Sequence, residues 1–378
     1  MRIGYDAKRA VQNNTGLGNY SRHIIETLSV CYPEHSLLLF SPKKKENPRL
    51  DTLKSRKNVR FIFPSGIWRF LSSFWRISAL KSDLKKHSID IFHGLSNELP
   101  LGTNKAGIKS VVTIHDLIFL RYPRLYKPVD RLIYRLKFSY ACRYADKIIA
   151  VSECTKKDII SFFNIPADKI EVVYQGCHPN FLKPVPQEKK NKIIRKYHLA
   201  DQFVLCVGSI EPRKNLMLAV RSLSEIKSDV CMVAIGKRTS YQNSVEEFVR
   251  KNGLSERVFI YNQIPFEELP AFYQLATVFV LPSVYEGFGI PVIEALSSGL
   301  PVIAATGSCL EEAGGEHSLY VDPYDHQSLA NQINRVLNDP ELAFTMAEKG
   351  KQYVCRFSDQ QTAQKLLQVY DQLIRRDS

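Results

Sequence analysis

The stretch Ser283-Val-Tyr-Glu-Gly-Phe-Gly-Ile-Pro-Val-Ile-Glu294 decides how this chain is read. Upstream lies Thr277-Val-Phe-Val-Leu281, an apolar run of the length of a buried strand. Downstream, Pro291-Val-Ile-Glu-Ala-Leu-Ser-Ser298 reads as a helix. Pro291 suits its first turn, where the missing N–H has no intrahelical partner to lose. Gly287 and Gly289 lie in the connecting loop, where backbone without a Cβ can approach a ligand closely. The free N–H groups and dipole of a helix start favour an anion. Two carboxylates nevertheless frame the place, Glu286 in the loop and Glu294 one turn into the helix. A ligand with both phosphate and hydroxyl groups, such as a sugar nucleotide, suits that mixture.

Working outward, strands and helices alternate along the chain, which predicts an α/β protein with parallel sheets. The first half predicts strands at 2–6, 36–40, 59–63, 89–92, 110–114, 147–151 and 170–173. A glycine turn, Thr15-Gly-Leu-Gly-Asn-Tyr20, follows the first of these and leads into a helix over 20–29. The second half restarts the pattern with strands at 202–208, 230–236, 257–261, 278–281, 301–304 and 318–321. Between the halves, residues 176–195 hold three prolines and a cluster of lysines at Lys189, Lys190 and Lys192, and read as a linker. At 378 residues, 44% of them hydrophobic, the chain is long enough for two domains with separate cores.

The net charge of +14 is unevenly placed. Residues 1–180 carry 30 Lys and Arg against 15 Asp and Glu; residues 181–378 carry 22 against 23. A basic half points to a polyanionic partner: anionic lipid, a phosphate-bearing acceptor or nucleic acid. No apolar run reaches the length of a membrane span. The start, Met1-Arg-Ile-Gly-Tyr-Asp6, reads as a strand and not as a signal peptide. The eight cysteines form no Cys-x-x-Cys pair and read as reduced thiols of a cytoplasmic protein, with Cys206 and Cys231 expected inside buried strands.

Other candidate residues cluster at strand ends. Arg213 and Lys214 follow the strand at 202–208, at the end where α/β sheets bind ligands, and two adjacent cations there can neutralise a departing diphosphate. They are expected on an exposed loop. Lys237 and Arg238 follow the next strand and are candidates to help. Gly16 and Gly18 fit a loop that packs against a diphosphate. The full dinucleotide fingerprint is absent, because Ser21 stands where its third glycine would be and no acidic residue caps the next strand, which counts against a dehydrogenase. His115 and His93 each end a predicted strand. Residues 67–87 hold both tryptophans, Trp68 and Trp75, interleaved with Arg and Lys, and suit either a core helix or an amphipathic helix at a membrane interface.

The spacing of Glu286 and Glu294 resembles the paired-glutamate motif of the retaining glycosyltransferases of family 4. The resemblance extends over nearly the whole chain. It takes in Thr15-Gly-Leu-Gly18, Ile91-Phe-His-Gly-Leu-Ser-Asn97, Thr113-Ile-His-Asp-Leu-Ile118, Ile149-Ala-Val-Ser-Glu-Cys-Thr155 and Val207-Gly-Ser-Ile-Glu-Pro-Arg-Lys-Asn215. It implies the GT-B fold: two Rossmann-like domains facing each other across a deep cleft, with a last helix crossing back to the first. Residues 1–180 would then form an acceptor-binding domain, residues 195–356 a nucleotide-sugar-binding domain, and residues 357–378 the crossover helix. The family usually has an aromatic residue after the Phe-Ser that opens this helix, where this chain has Asp359. By the same resemblance, Arg213 and Lys214 meet the departing diphosphate. Glu286, Gly287, Phe288 and Gly289 contact the donor, Glu294 holds its ribose, and His115 hydrogen-bonds the transferred sugar. Gly16 and Gly18 approach the diphosphate, and His93 has a structural or acceptor-side role.

The resemblance also implies a reaction that retains anomeric configuration and needs no metal or other cofactor; no Asp-x-Asp motif stands near a strand end. The donor would be a nucleotide sugar, GDP-mannose or a UDP-sugar. The acceptor would be a glycan, carried on a polyprenyl diphosphate at the inner face of the membrane, with the basic half against its anionic surface. Two other readings are a sugar-nucleotide 2-epimerase of the same fold and a nucleic-acid-binding protein. The first accounts less well for the Arg-Lys loop together with paired glutamates. The second rests on charge alone, without a nucleic-acid-binding signature.

Overall fold

The computed structural model describes residues 1–103, 107–226 and 229–375. They divide into two compact units, one of Met1–Gln175 together with the chain from Phe357 onward, the other of Gly176–Arg356. Each is a Rossmann-like unit built on a wholly parallel sheet.

The first sheet contains β1 (Arg2–Asp6), β2 (Ser36–Phe40), β3 (Val59–Ile62), β4 (Ile91–Gly94), β5 (Lys109–Ile114), β6 (Lys147–Ala150) and β7 (Ile170–Val172). Their order is β3-β2-β1-β4-β5-β6-β7. The second contains β8 (Phe203–Val207), β9 (Cys231–Ile235), β10 (Val258–Tyr261), β11 (Val278–Leu281), β12 (Val302–Ala305) and β13 (Leu319–Val321), in the order β10-β9-β8-β11-β12-β13. All thirteen expected strands are present, with ends moved by two residues at most. Central strands such as Val278-Phe-Val-Leu281 are buried at every position, as a parallel sheet covered on both faces requires. The edge strand β10 is only half-buried beyond Val258. In each sheet the order reverses between the first and fourth strands of the unit, and the carboxyl ends of that pair form the crevice where such folds take ligands.

Three local expectations change. The glycine segment after β1 is not a turn: the helix starts at Gly16 and runs to Cys31, and the main-chain carbonyl of Thr15 already accepts its first bonds, from the N–H groups of Gly18 and Asn19, each at 3.0 Å. Gly18 is needed for space, since a Cβ there would lie 1.9 Å from the Asn13 carbonyl oxygen. The expected linker contains a helix, Gln187–Tyr197, which belongs to the second unit. It buries Ile193, and Lys196 and Tyr197 bond the Glu268 carboxylate at 2.7 and 2.6 Å. The segment 67–87 is neither of the single helices considered. It is a 3-10 turn, a short helix, a π-helical turn at Trp75–Ala79 and the helix Leu80–Lys86. Trp75 is buried in the core with Leu80 and Leu84, and its indole N–H donates to Asp83 at 2.6 Å, while Trp68 is exposed.

The last helix, Asp359–Arg375, lies within the first unit and buries Leu366, Val369, Tyr370 and Leu373; residues 376–378 of the expected crossover helix lie outside the described residues. Asp359 stands at its start and pairs with His23 of the Gly16–Cys31 helix at 3.0 Å. Among the described residues no helix is long and apolar enough to cross a membrane. The eight cysteines are free thiols; Cys206 is buried and Cys231 only half-buried, because it opens its strand near the surface.

Candidate active site

In the second unit the switch point lies between β8 and β11, and the loops leaving these two strands meet there. Pro212–Lys214 forms a 3-10 turn that ends on Asn215 in the left-handed conformation (φ 57°). The Asn215 side chain donates to the carbonyls of Pro282, just past β11, and Pro323, just past β13, at 3.2 and 2.7 Å. Val284 N–H donates to the Arg213 carbonyl at 2.8 Å, so the two loops are also joined through main chain. A small hollow of about 20 Å³ sits between the strand ends, with Gly208, Ser209, Lys214 and Pro282 among its walls.

This frame aims both cations at one carboxylate. Arg213 Nη1 lies 2.8 Å from Glu286 Oε2, and Lys214 Nζ lies 2.6 Å from Oε1. Arg213 also donates to the Tyr285 carbonyl at 2.6 Å and to Glu211 at 2.7 Å. Burial alone would raise the pKa of Glu286; Lys214 and Arg213 outweigh it and hold the carboxyl at about 2. The cations are not on an exposed loop. Their side chains are only 16% and 15% exposed. Removing one therefore leaves a buried carboxylate half-compensated, which costs stability as well as chemistry.

Behind Glu286 the loop turns into the helix Ile290–Ser297. Gly289 caps it at φ 103°, and a Cβ there would meet Leu310 Cδ2 at 2.8 Å, so both backbone and space demand glycine. Gly287 is half-buried and Phe288 is buried. Glu294 accepts from the Tyr273 hydroxyl at 2.8 Å. Burial raises its carboxyl to about 7, against the opposing effects of the Tyr273 bond and Lys214. Two glutamates eight positions apart thus sit on opposite sides of the ordinary carboxylate range. Arg238 turns away from this site, giving its guanidinium to Glu246 and Asn243, and Lys237 is exposed.

Glu211, Asn215, Tyr273 and Cys309 emerge from the structure as supports. Cys309 Sγ–H donates to the Glu286 carbonyl at 3.1 Å. Among them only Glu211 and Asn215 were within reach of sequence, as polar residues flanking the Arg-Lys pair.

In the first unit, His115 follows β5. Its main-chain N–H donates to Asn97 at 2.8 Å and its Nε2–H to the Leu95 carbonyl at 2.9 Å, which leaves Nδ1 as the acceptor of a neutral ring. Burial lowers its pKa to about 4. The Tyr20 ring meets it edge-on at 4.5 Å. His93, on β4, is fully buried between the Tyr370 hydroxyl (2.7 Å) and Thr113 Oγ1 (2.8 Å). That placement makes it a core histidine tying the last helix to the sheet. Gly16 is exposed at the start of its helix, with open space where a Cβ would stand. Among the described residues no group of His, Cys, Asp or Glu is gathered to hold a metal ion.

Comparison with known proteins supplies the identity. Residues 188–353 match the family described as "Glycosyl transferases group 1", and residues 15–181 match "Glycosyltransferase Family 4". The chain belongs to the family 4 glycosyltransferases. It is 27% identical over 370 residues to O-antigen chain mannosyltransferase B of Escherichia coli, spanning 94% of this chain and 96% of that protein. O-antigen chain mannosyltransferase RfbU of Salmonella typhimurium is 25% identical over 77% of this glycosyltransferase and 75% of its own length. In fold, it is similar to a glycosyltransferase from Rickettsia africae, with a TM-score of 0.78 at 19% identity, covering 99% of this chain and 98% of that one.

Proposed function

We propose that this glycosyltransferase transfers a hexose, mannose first among the candidates, from a nucleotide-diphosphate sugar to a growing cell-surface glycan, with retention of configuration and without a metal ion. The observation that carries this is the convergence of Arg213 and Lys214 on Glu286 at the β8–β11 switch point. Mannose is favoured because the two relatives above are mannosyltransferases of O-antigen chains. GDP-mannose is the donor to try first and UDP-sugars second.

An incoming diphosphate competes with Glu286 for the two cations. When it takes them, the Glu286 carboxylate is released to accept hydroxyls of the donor sugar. The cations, with the N-terminus of Ile290–Ser297, then meet the charge that develops on the leaving diphosphate, the role a metal ion plays elsewhere. Glu294 accepts the ribose hydroxyls, and Phe288 anchors the loop between the two glutamates. In the first unit, the unprotonated Nδ1 of His115 accepts a hydroxyl of the transferred sugar, and the open backbone at Gly16 serves the diphosphate, with Gly18 holding the helix start close against Asn13 behind it. Attack comes from the face the leaving group departs, with its phosphate taking the acceptor's proton. The acceptor is a glycan on a polyprenyl diphosphate. The enzyme works in the cytoplasm, on the inner face of the membrane, with its basic unit toward the anionic surface.

A thermal-shift panel of GDP-, UDP-, ADP- and dTDP-sugars tests the donor, since a ligand that binds only the folded state raises its melting temperature. GDP-mannose should give the largest shift, undiminished by EDTA, and transfer should likewise survive EDTA. Activity lost to EDTA and restored by Mn²⁺ or Mg²⁺ would overturn the metal-free site.

A further inference from the structure

We infer that the first unit docks on an anionic bilayer by inserting a defined apolar surface, made by residues 67–77 and the helix Pro128–Tyr144, into the lipid. This extends the reading of a membrane-carried acceptor from general electrostatic attraction to a particular docking element.

The first observation is a helix with the wrong face outside. On Pro128–Tyr144, Val129, Leu132, Ile133 and Leu136 recur at i, i+3, i+4 and i+7, the spacing of a core-facing stripe. They are nevertheless exposed, Val129 to 68% and Leu136 to 64%. The core takes the opposite stripe, Phe138, Ala141 and Cys142. The second observation is segment 67–77. With Trp75 turned into the core, Ile67, Phe70, Leu71, Phe74 and Ile77 remain outside, Phe70 to 89%.

These two surfaces are continuous. Ile77, Leu101, Leu136 and Tyr140 line one cavity of about 190 Å³. Leu101 N–H donates to the Ile77 carbonyl at 2.7 Å, and Glu98 bonds Arg76 from one element and Lys137 from the other at 2.6 and 3.1 Å. A contiguous apolar patch of this extent on a folded chain marks an interaction site.

The charges around it choose the partner. Residues 66–82 expose Arg69 and Lys81 and hold no acidic residue, Arg76 being taken up inside by Asp6 and Glu98; residues 117–145 hold seven Lys and Arg against the single acid Asp130. Large apolar side chains interleaved with cations match an anionic headgroup layer over hydrocarbon. A second copy of the same basic face would be repelled.

The test is flotation of the full chain with phosphatidylcholine vesicles, with and without phosphatidylglycerol, at low and high salt. One variant combines Phe70→Ser, Phe74→Ser, Val129→Ser and Leu132→Ser; the other combines Arg69→Gln, Lys81→Gln, Arg124→Gln and Arg135→Gln. All eight positions are exposed, so both variants should melt as the wild type does. The wild type should prefer anionic vesicles and keep part of its binding in high salt. The apolar variant should lose that salt-resistant part, with partitioning down at least ~10-fold. The charge variant should lose binding at low salt by about fivefold per residue. Trp68 emission should shift to the blue on binding, a shift absent in Trp68→Phe. Binding wholly reversed by salt and unchanged in the apolar variant would overturn insertion. So would self-association abolished by the apolar variant with no vesicle binding, which would make this face an interface between copies. Wild-type protein that floats as expected but fails to use a lipid-linked acceptor would overturn the acceptor reading and leave the docking surface standing.

Discussion

The two units repeat one sheet order and invert the charge at its switch point. In the second unit, a buried carboxylate, Glu286, is the centre, and two cations converge on it. In the first, a buried guanidinium, Arg76, is the centre, and two carboxylates, Asp6 at the end of β1 and Glu98 after β4, converge on it at 2.5 and 2.6 Å. The second unit presents cations suited to an entering anion; the first unit presents carboxylates suited to hydroxyls, beside apolar walls at Ile77, Leu99 and Leu101. The strand order alone would have made the two sites equivalent. The loops leaving the strands make them different, and ligand choice resides there.

The sharpest way to break this contrast is to remove a cation in one unit and a carboxylate in the other. Arg213→Ala or Lys214→Ala should lower turnover at least ~100-fold, the scale for losing one charge-stabilising donor. Each should also melt earlier than wild type, because Glu286 is left half-paired. Glu98→Gln should leave donor affinity unchanged. Steady-state kinetics with separately varied donor and acceptor reads both, and equal donor effects on the two sides would erase the distinction.

The next effect concerns Glu294. Its carboxyl is raised to about 7, so the ionised form that the proposed ribose contact needs is filled only as pH passes neutrality. Affinity for a nucleotide sugar should therefore rise roughly tenfold between about pH 6 and 8 in the wild type. It should stay weak and flat in Glu294→Gln. The stability signs are opposite for the two glutamates. A raised carboxyl stabilises the fold at low pH and loses that contribution as pH rises through about 7, so Glu294→Gln should gain stability relative to wild type above neutrality. Glu286, held at about 2, contributes stability above the ordinary glutamate range and loses it as pH falls toward 2. Urea melts across pH check both.

Much of this architecture was legible because parallel strands buried on both faces read as unbroken apolar runs. The segment around Glu286 was legible because glycine, proline and two carboxylates in one loop have few structural reasons to coincide. The pairing of both cations with Glu286 was not legible, since it depends on two loops more than seventy residues apart folding onto each other. The start of the helix at Gly16 was missed because the glycines suggested a turn, whereas the Thr15 carbonyl already accepts the helix's first bonds and Gly18 is there for clearance from Asn13. The division of 67–87 into a buried Trp75 and an exposed Phe70 was hidden by the π-helical turn, which breaks the 3.6-residue period on which amphipathicity is read. The exposed stripe on Pro128–Tyr144 has the pattern of a core helix, and only its exposure distinguishes it.

The smallest expected effect lies in the first unit's interior. Tyr370 of the last helix bonds His93, whose other nitrogen bonds Thr113, which meets the Tyr20 hydroxyl at 3.2 Å beside His115. Tyr370→Phe removes one buried partner and should cost about 1–3 kcal/mol of stability. Donor affinity should not change. A matching loss of donor affinity would mean that the last helix acts on the second unit's site as well.

Calorimetric titration of the free nucleoside diphosphate into wild type, Lys214→Ala and Glu286→Gln tests the exchange at the centre of this account. If the diphosphate takes the cations from Glu286, the Glu286→Gln variant should bind it at least as tightly as wild type, while Lys214→Ala binds it far more weakly. Weakening by Glu286→Gln equal to that of Lys214→Ala would contradict the exchange and leave Glu286 a structural partner of the two cations.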